Sequence, residues 1–529
     1  MLSLLSRETD AVVKVSNDSS DDSEQKKEEG QDNELSTSMS VHSVGSNLST
    51  DEPLQEVLAK AEEGRDPNLV TWKENDPESP HNWPMQRKIL ISVIMSFLTF
   101  TIYIGAGIYT SSVPGIMEEF NVSQTKAELG LTLYIIAYGL GPMFFAPLSE
   151  IPSIGRMNIY VATFLLFVVF QIPTVFTSDY NTLMAMRFFT GFMGSPVMAT
   201  GYATFQDMFS QAQMPFAVLV WATVTVLGPV FGPVMGDFLA MNEGWRWPLK
   251  LWLIMSGAYF FVLILFFPET SADTLLLKRA QRLRKLTGND QLRSESEITA
   301  ANTPSSTILF ESLVRPFQLS FEPIVLFLNT YLGLAYGIFY LWFEAFPLVF
   351  GGIYHFNQGE QGLPFLGISV GFWLTSLFYG IYQAKVIIPR GYRGELAPEH
   401  FLKVAFAVSF FIPVSLFIFG WTSRADIHWI VPIIGATLYI PGIFLLFQTI
   451  MVYLPMSYSK YGASIMASNT AFRSVIAAAF PLFGKGLFGN LGIGKGSTVL
   501  AGISIAMIPI LFLLSQYGAK IRQWSRYAN

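Results

Sequence analysis

Twelve long apolar stretches constrain the fold of this chain more than any other feature. About 20 apolar residues are needed for a helix to cross the roughly 30 Å hydrocarbon core of a bilayer. Lipid offers no partner for backbone polar groups, so each stretch is expected to be helical. The sequence therefore predicts an all-α membrane protein with twelve transmembrane helices. The stretches lie at about residues 88–110, 127–147, 157–177, 181–206, 214–240, 247–267, 321–350, 361–384, 404–422, 428–450, 462–487 and 497–517.

The composition agrees with lipid as the surrounding solvent. Hydrophobic residues make up 51% of the chain and charged residues only 14%, against about 25% charged in soluble domains. The net charge of −6 gives no reason to expect nucleic acid as a partner. The chain has no cysteine, and its histidines show no metal-ligand spacing. We therefore expect no metal, no cofactor, no catalytic residues and no enzymatic activity.

The segments between the stretches predict the domain organisation and the orientation. If the N-terminus is cytoplasmic, the cytoplasmic loops and C-terminus carry 16 Lys and Arg residues, and the outer loops carry 6. Positive charge collects on the cytoplasmic side of membrane proteins, so both termini of this multi-pass chain are expected there. The predicted segments are a disordered cytoplasmic tail (1–82), a six-helix bundle (83–267), a cytoplasmic central loop (268–319), a second six-helix bundle (320–517) and a cytoplasmic tail (518–529).

Glycine and proline interrupt the fifth stretch in the run Gly228-Pro-Val-Phe-Gly-Pro-Val-Met-Gly236. Both residues disfavour helix interiors in water, but membrane helices tolerate them where neighbours satisfy the backbone. Gly228, Gly232 and Gly236 are spaced four apart, so they share one helix face and let another helix approach closely. The run predicts a helix that bends and packs tightly. Asp237 follows it and is expected to be hydrated, near Trp245-Arg246-Trp247.

Three charged residues lie well inside apolar stretches, away from the stretch ends: Arg187 in the fourth, Glu344 in the seventh and Arg473 in the eleventh. A charge at bilayer depth is costly, so it normally faces a polar cavity or a partner and marks a transport pathway. We interpret these residues as candidates for proton coupling and transport. Alternatives are a snorkelling or salt-bridged structural role for either arginine, pinning of two helices by Arg473, and a hydrated position for Glu344 at the outer mouth.

Two further groups are candidates for gating and for substrate contact. Glu150, Gly155, Arg156 and Asp207 border the second, third and fourth stretches, and we expect them to form a gate network at the cytoplasmic face. Such a network can lock one conformation and break in another, although simple structural salt bridging is the alternative. Aromatic residues recur at helical intervals in the seventh stretch and are candidates for a substrate cavity, with ordinary core packing as the alternative: Tyr336, Phe339, Tyr340 and Phe343.

Several motifs, taken in order, resemble those of a known family. The segment from Ala146 to Arg156 is similar to the loop motif between spans two and three of the major facilitator superfamily. Ala146 replaces its leading Gly, Glu150 replaces its Asp, and the spacer is two residues longer. Arg187 and Gly191 match the fourth-span motif, whose arginine the family assigns to proton coupling. The fifth-span antiporter motif is matched by Gly228, Gly232, Pro233 and Gly236, with Asp237 in place of its second Gly.

Shorter motifs narrow the resemblance to fungal members of the twelve-span drug:proton antiporter group. The chain is most similar to yeast exporters of azoles, benzimidazoles and other unrelated toxic compounds. These motifs are Asp76–Trp83, Gly244–Trp247, Pro268–Thr270, Lys278–Ala280, Leu283–Asn289, Phe343–Pro347 and Phe480–Phe483.

The resemblance implies a major facilitator fold, in which two six-helix bundles (6+6) enclose a substrate cavity near the membrane midplane. It also implies proton-coupled export of small amphipathic, drug-like molecules by alternating access. The expected partners are these substrates, protons and the lipid bilayer, and the protein is expected to be a monomer in the plasma membrane, with the vacuolar membrane as the alternative. Other functions left open are export of polyamines or of a single metabolite, and a membrane sensor that does not transport.

Overall fold

The computed structural model describes residues 68–210, 213–302, 314–458, 461–525 and 527. The predicted tail lies outside these residues up to position 67. The helices of the first half are span 1 (Met85–Thr110), a short helix (Val113–Phe120), span 2 (Gln124–Leu140 and Pro142–Glu150), span 3 (Arg156–Phe176), span 4 (Tyr180–Gly194 and Pro196–Met208), span 5 (Met214–Glu243) and span 6 (Arg246–Phe266).

The second half repeats the pattern after the central loop. Its helices are span 7 (Pro323–Phe346, extended by a π-helical turn at Pro347–Gly351), a short helix (Gln358–Gln361), span 8 (Phe365–Tyr382, with a π-helical turn at Gln383–Ile387 and a last helix at Ile388–Tyr392), span 9 (Glu399–Ser409 and Phe411–Thr422), span 10 (Ile430–Thr437 and Tyr439–Ser457), and spans 11 and 12 within Gly462–Arg522.

The structure agrees with twelve crossings, as the sequence predicts. In the described part of the chain, 10 helices are long and apolar enough to cross a membrane, and one of them, Ser464–Arg522, has 59 residues. At about 1.5 Å per residue this helix is far longer than a bilayer is thick. Gly492 breaks it with φ 75° and ψ 163°, which divides it into spans 11 and 12. Span 4 is the twelfth crossing; it is divided at Ser195 into two shorter helices, so it is not among the 10.

Because successive spans run in opposite directions, their ends lie at two faces of the bundle. We call the face where span 1 begins and span 12 ends the terminal face, and the face where span 1 ends and span 2 begins the opposite face. Between these faces the outward surfaces of the spans carry large apolar side chains. Phe261, Leu265 and Phe378 are 65%, 72% and 67% exposed, which is the surface that lipid covers in a membrane protein.

An ordered structure at the terminal face joins the segment before span 1 to the central loop. Leu69–Val70 pairs in parallel with Arg293–Ser294, and a helix at Ala272–Thr287 supplies Arg279 and Arg282, which bind Asp76 and Glu78. Residues 68–82, which the sequence assigned to the disordered tail, are therefore partly folded. The sequence did not predict this structure, because a two-residue strand and ion pairs between residues about 200 positions apart produce no local sequence pattern.

Candidate functional site

A cavity of about 880 Å³, including its opening, lies between the two halves of the protein. Spans 1, 4 and 5 of the first half and spans 7, 8, 10 and 11 of the second half line it. Among the lining side chains that the structure describes, Arg473 carries the only charge. The aromatic and methionine side chains of the lining are Tyr103, Tyr202, Trp221, Tyr336, Phe339, Phe372, Phe444, Phe447, Met198, Met451 and Met466.

Two of the four predicted cavity residues line the cavity, and two do not. Tyr336 and Phe339 face it. Tyr340 lies one turn closer to the opposite face, where its hydroxyl is 2.8 Å from the hydroxyl of Tyr138 in span 2. Phe343 stacks on Phe365, with 5.3 Å between the ring centres. Tyr340 and Phe343 therefore lie beyond the lining of this cavity, toward the opposite face, where their rings pack against spans 2 and 8.

Arg473 projects into the cavity from span 11. Its guanidinium carbon lies 4.4 Å from the centre of the Tyr336 ring and 5.1 Å from that of Phe447, distances at which a cation and a ring attract. The side chain is 3% exposed, and its Nε has no hydrogen-bond acceptor among the described residues. A ligand with an acceptor or an anionic group can therefore satisfy it.

Arg187 lies within the first half and does not line the cavity. It is fully buried and donates hydrogen bonds to the carbonyls of Gly105 at 2.9 Å and Gly130 at 3.2 Å. The rings of Tyr109 and Tyr134 flank the guanidinium at 4.3 Å each. Carbonyls and ring faces offset part of the cost of burying a charge. Within the described residues no carboxylate forms an ion pair with Arg187, so it joins spans 1, 2 and 4 as a cation without a counter-ion.

Glu344 lies near the opposite face and is only 8% exposed, so it does not have the hydrated position that was its alternative. It accepts a hydrogen bond from Gln124 Nε2 at 2.9 Å, and Glu128 of span 2 is its neighbour. Glu128 is 2% exposed and is a candidate that the sequence reasoning missed. The rule that selected Glu344, an acidic residue inside an apolar stretch, applies to Glu128 as well.

The predicted gate network is partly assembled at the terminal face. Arg156 forms an ion pair with Asp207, in which its two terminal nitrogens lie 3.1 and 3.2 Å from the two carboxylate oxygens. Gly155 has φ 75°, and a Cβ there would lie 2.3 Å from a carboxylate oxygen of Glu269. Glu150 is exposed and close enough to Arg156 to interact with its charge. All of these residues belong to the first half, so the network does not bridge the two halves in this conformation.

Glu269 completes that network, although the sequence indicated it only as part of a short motif. Its carboxylate accepts hydrogen bonds from the backbone N–H groups of Arg156 and Met157, both at 3.2 Å. These groups begin the helix of span 3, where backbone donors lack partners within the helix and a negative charge is favoured. Glu269 also accepts from the N–H groups of Thr270 and Ser271 at 2.9 Å. The segment after span 6 is therefore anchored to the start of span 3.

The antiporter-motif glycines of span 5 pack against span 1. A Cβ on Gly228 would lie 2.9 Å from the carbonyl oxygen of Phe100, and one on Gly236 would lie 2.4 Å from Ser111 Oγ. Gly232 makes the closest approach to the backbone of span 1, with a Cβ position 2.4 Å from the backbone nitrogen of Ile108. Real Cβ atoms do not come this close to other atoms, so the contact depends on glycine. Pro233 follows Gly232 inside the unbroken helix.

Asp237 was expected to be hydrated, near Trp245-Arg246-Trp247. It is instead partly buried, close to Ser111, which follows span 1. A Cβ on Gly362, before span 8, would lie 3.1 Å from its carboxylate and 2.7 Å from the carbonyl oxygen of Pro233. Asp237 therefore lies where the two halves touch at the opposite face.

The two halves are closed against each other on the opposite-face side of the cavity. Besides the pair Tyr138 and Tyr340, Thr132 donates to the carbonyl of Ala478 at 3.0 Å. Nearer the terminal face, the halves meet through the hydroxyls of Thr223 and Ser376 at 2.7 Å. Because the cavity lining extends to Met198 and Tyr202 in the terminal-face half of span 4, the cavity lies toward the terminal face and is sealed from the opposite face.

Comparisons with known proteins agree with this architecture. The sequence model of the Major Facilitator Superfamily matches residues 95–481. Transporter mfs1 of Schizosaccharomyces pombe is 45% identical over 87% of this chain and 88% of its own length. Fluconazole resistance protein 1 of Saccharomyces cerevisiae is 39% identical over 88% of this chain and 86% of its own length. The cycloheximide resistance protein of Candida maltosa is 39% identical over 87% of this chain and 86% of its own length.

Two solved structures share the fold. The human organic anion transporter MFSD10 aligns with a TM-score of 0.54 and 14% identity, over 81% of this chain and 100% of that chain. The proton:xylose symporter XylE aligns with a TM-score of 0.57 and 12% identity, over 82% of this chain and 96% of that chain. At such identities the likeness concerns the fold alone.

Proposed function

Because this chain belongs to the Major Facilitator Superfamily, we propose that it is a proton-coupled multidrug exporter that works by alternating access across the plasma membrane. Relatives named for resistance to fluconazole and to cycloheximide support export of toxic compounds. The distribution of Lys and Arg supports a cytoplasmic terminal face and an outward opposite face. In this orientation the cavity lies toward the cytoplasmic face, as uptake of substrate from the cytoplasm requires. Both halves of the cavity belong to one chain, which supports a monomer as the functional unit.

The chemistry of the cavity lining carries this proposal. Aromatic rings and methionine side chains are apolar and can repack around ligands of different shape. With Arg473 as the single charge and no acidic side chain in the described lining, the cavity favours neutral or anionic aromatic molecules. Polyamines need carboxylates to offset the cost of desolvating several positive charges, so the lining disfavours the polyamine exporter.

We assign different roles to the three residues predicted to take part in proton coupling and transport. Glu344 carries the proton, because it is a buried carboxyl group at the boundary between the halves. Arg473 contacts substrate, because it is the charged group that faces the cavity. Arg187 holds spans 1, 2 and 4 together and acts on proton coupling through the electric field of its unpaired charge. Within the gate network, the ion pair of Arg156 and Asp207 stabilises the terminal face of the first half.

Expression in a yeast strain that lacks its own drug exporters tests the proposed function. We expect resistance to neutral aromatic toxicants such as azoles, together with reduced accumulation of a labelled azole. Dissipating the proton gradient should abolish the reduction in accumulation. Unchanged azole accumulation combined with export of a labelled polyamine would contradict the proposal and support the narrower exporter.

A further inference from the structure

Two carboxyl groups meet across the boundary between the halves near the opposite face. Glu128 of span 2 and Glu344 of span 7 are close enough to share a hydrogen bond. Glu128 is 2% exposed and Glu344 is 8% exposed. Gln124 donates to Glu344 Oε2 at 2.9 Å. In contrast, Glu128 Oε1 is buried and has no hydrogen-bond donor among the described residues.

A proton resolves this arrangement chemically. An ionised carboxylate only accepts hydrogen bonds, so two of them cannot bond to each other, whereas a protonated carboxyl group donates one. Two negative charges in contact and away from water repel each other strongly, and paired carboxyl groups in proteins commonly share one proton for this reason. The oxygen of Glu128 that lacks a donor is therefore where a proton shared with Glu344 would be bound.

In the described part of the chain, no ion pair neutralises either of the two carboxyl groups. From span 11, Lys485 acts on both carboxyl groups, but its side chain is exposed, and within the described residues it forms no ion pair with either. From span 1, Tyr109 lies beside Glu128 and donates its hydroxyl to the Ala127 carbonyl. From span 4, Arg187 donates to the Gly130 carbonyl instead. Span 11 also packs Gly484 against Glu344.

We propose that Glu128 and Glu344 form one proton site that controls closure of the opposite face. With a proton, the pair is a hydrogen bond that holds spans 2 and 7 together; without it, two negative charges push the two halves apart. The inference rests on the proposed function, and it adds a second carboxyl group and a mechanical consequence to the role of Glu344.

This site explains how an inward proton gradient can drive the closing and reopening of the opposite face. When the opposite face is open, the pair is accessible from outside and takes up a proton, which allows closure. Tyr340 and Tyr138 lie between Glu344 and the cavity, and their hydroxyls are hydrogen-bonded, so they are placed to assist transfer toward the cytoplasmic side. After the proton has left, the charged pair favours reopening to the outside, now with substrate in the cavity.

The absence of native cysteines allows a direct test on the full chain. Spin labels at Glu118→Cys and Gly489→Cys would report the distance between the halves, because both positions are exposed near the opposite face. The labelled protein in lipid nanodiscs would be measured by pulsed electron paramagnetic resonance from about pH 5 to about pH 9, a range that spans the titration of perturbed carboxyl groups. We expect a short distance at low pH and a growing long-distance population as pH rises.

Replacing the pair by neutral amides should remove this response. Glu128→Gln combined with Glu344→Gln is expected to keep the short distance at every pH. If the double variant does not fold, Glu128→Gln alone is measured instead. It leaves an amide donor beside Glu344 and should also keep the short distance at every pH. Glu243→Gln is the matched control, because Glu243 is an exposed acid at the opposite-face end of span 5; it should respond as the unaltered protein does.

The outcomes separate this inference from the proposed function. A pH response that persists in the glutamine variants, or that is missing from the unaltered protein, would overturn the proton site. Proton-driven azole transport would be measured separately in proteoliposomes. If transport is absent while the pH response depends on Glu128 and Glu344, the proton site stands and the exporter proposal fails.

Discussion

Gly232 of span 5 lies directly on Gly107 of span 1, backbone against backbone. A Cβ on Gly232 would be 2.6 Å from the carbonyl carbon of Gly107, and a Cβ on Gly107 would be 2.2 Å from the carbonyl oxygen of Pro229. Neither helix can carry a side chain at this point without moving. Since span 5 also borders the cavity and touches span 8, this contact couples the packing of the first half to the cavity.

Gly232→Leu should therefore impair transport strongly. A leucine side chain must push spans 1 and 5 apart, and overpacking of this kind costs about 1–3 kcal/mol. Azole resistance and membrane abundance of the variant would be measured together. Gly257→Leu is the matched control, because a Cβ on Gly257 in span 6 meets nothing within 4 Å. Full activity of Gly232→Leu would show that the close approach is not needed for transport.

Arg187→Ala should abolish export while membrane abundance is retained. The change removes the charge and both carbonyl hydrogen bonds that join spans 1, 2 and 4. Arg187→Lys keeps the charge but cannot reproduce the two-pronged contact, so we expect it to retain partial export if the field of the charge matters. Export by Arg187→Ala at the unaltered rate would rule out a coupling role, and loss of the protein from the membrane would show that the role of Arg187 is structural alone.

Arg473→Gln should change substrate preference more than it changes overall activity. Removing the only charge from the described lining weakens binding of anionic aromatic compounds, by about tenfold if one charge-assisted contact of roughly 1.4 kcal/mol is lost. Neutral azoles should be affected less, and cationic aromatic compounds should be exported better. Competition for azole transport by compounds of each charge measures this. Arg424→Gln, a change at an exposed arginine outside the cavity, serves as control; equal loss for all three classes would contradict the prediction.

Asp76→Asn should loosen the terminal-face structure that joins the segment before span 1 to the central loop. Burial alone would raise the pKa of Asp76, but hydrogen bonds from Arg279 and from the Glu78 backbone, with the charge of Arg279, lower it below 3.8. A lowered pKa in the folded state contributes stability that is present above the unfolded pKa and is lost as pH falls through the folded value. Limited proteolysis of the central loop should therefore be faster in Asp76→Asn at neutral pH.

The same difference should disappear in strong acid, where Asp76 of the unaltered protein is protonated as well. Glu78→Gln is a suitable comparison, since both members of the pair Glu78 and Arg282 are about half exposed and exposed ion pairs contribute little. Equal cleavage rates of Asp76→Asn and the unaltered protein at neutral pH would contradict a stabilising role for the ion pair.

The spans could be predicted from the sequence because their signal is local. Apolar length, small-residue spacing and loop charge each belong to one segment, and they gave the twelve spans, the glycine face of span 5 and the region of the gate network. Contacts between distant segments were harder. Glu128 was missed because it lies just inside the predicted start of span 2, and its importance depends on Glu344, more than 200 residues away.

The sequence by itself determined that this chain crosses a membrane with twelve helices, since lipid imposes a minimum apolar length on every span. It also showed that a few charged residues lie within these helices. Only the tertiary structure decided what each charge faces: Arg473 the cavity, Arg187 the rings of Tyr109 and Tyr134, and Glu344 a second carboxyl group. The physical reason is that helical periodicity defines a residue's direction relative to its own helix, whereas the neighbour in that direction depends on how twelve helices pack.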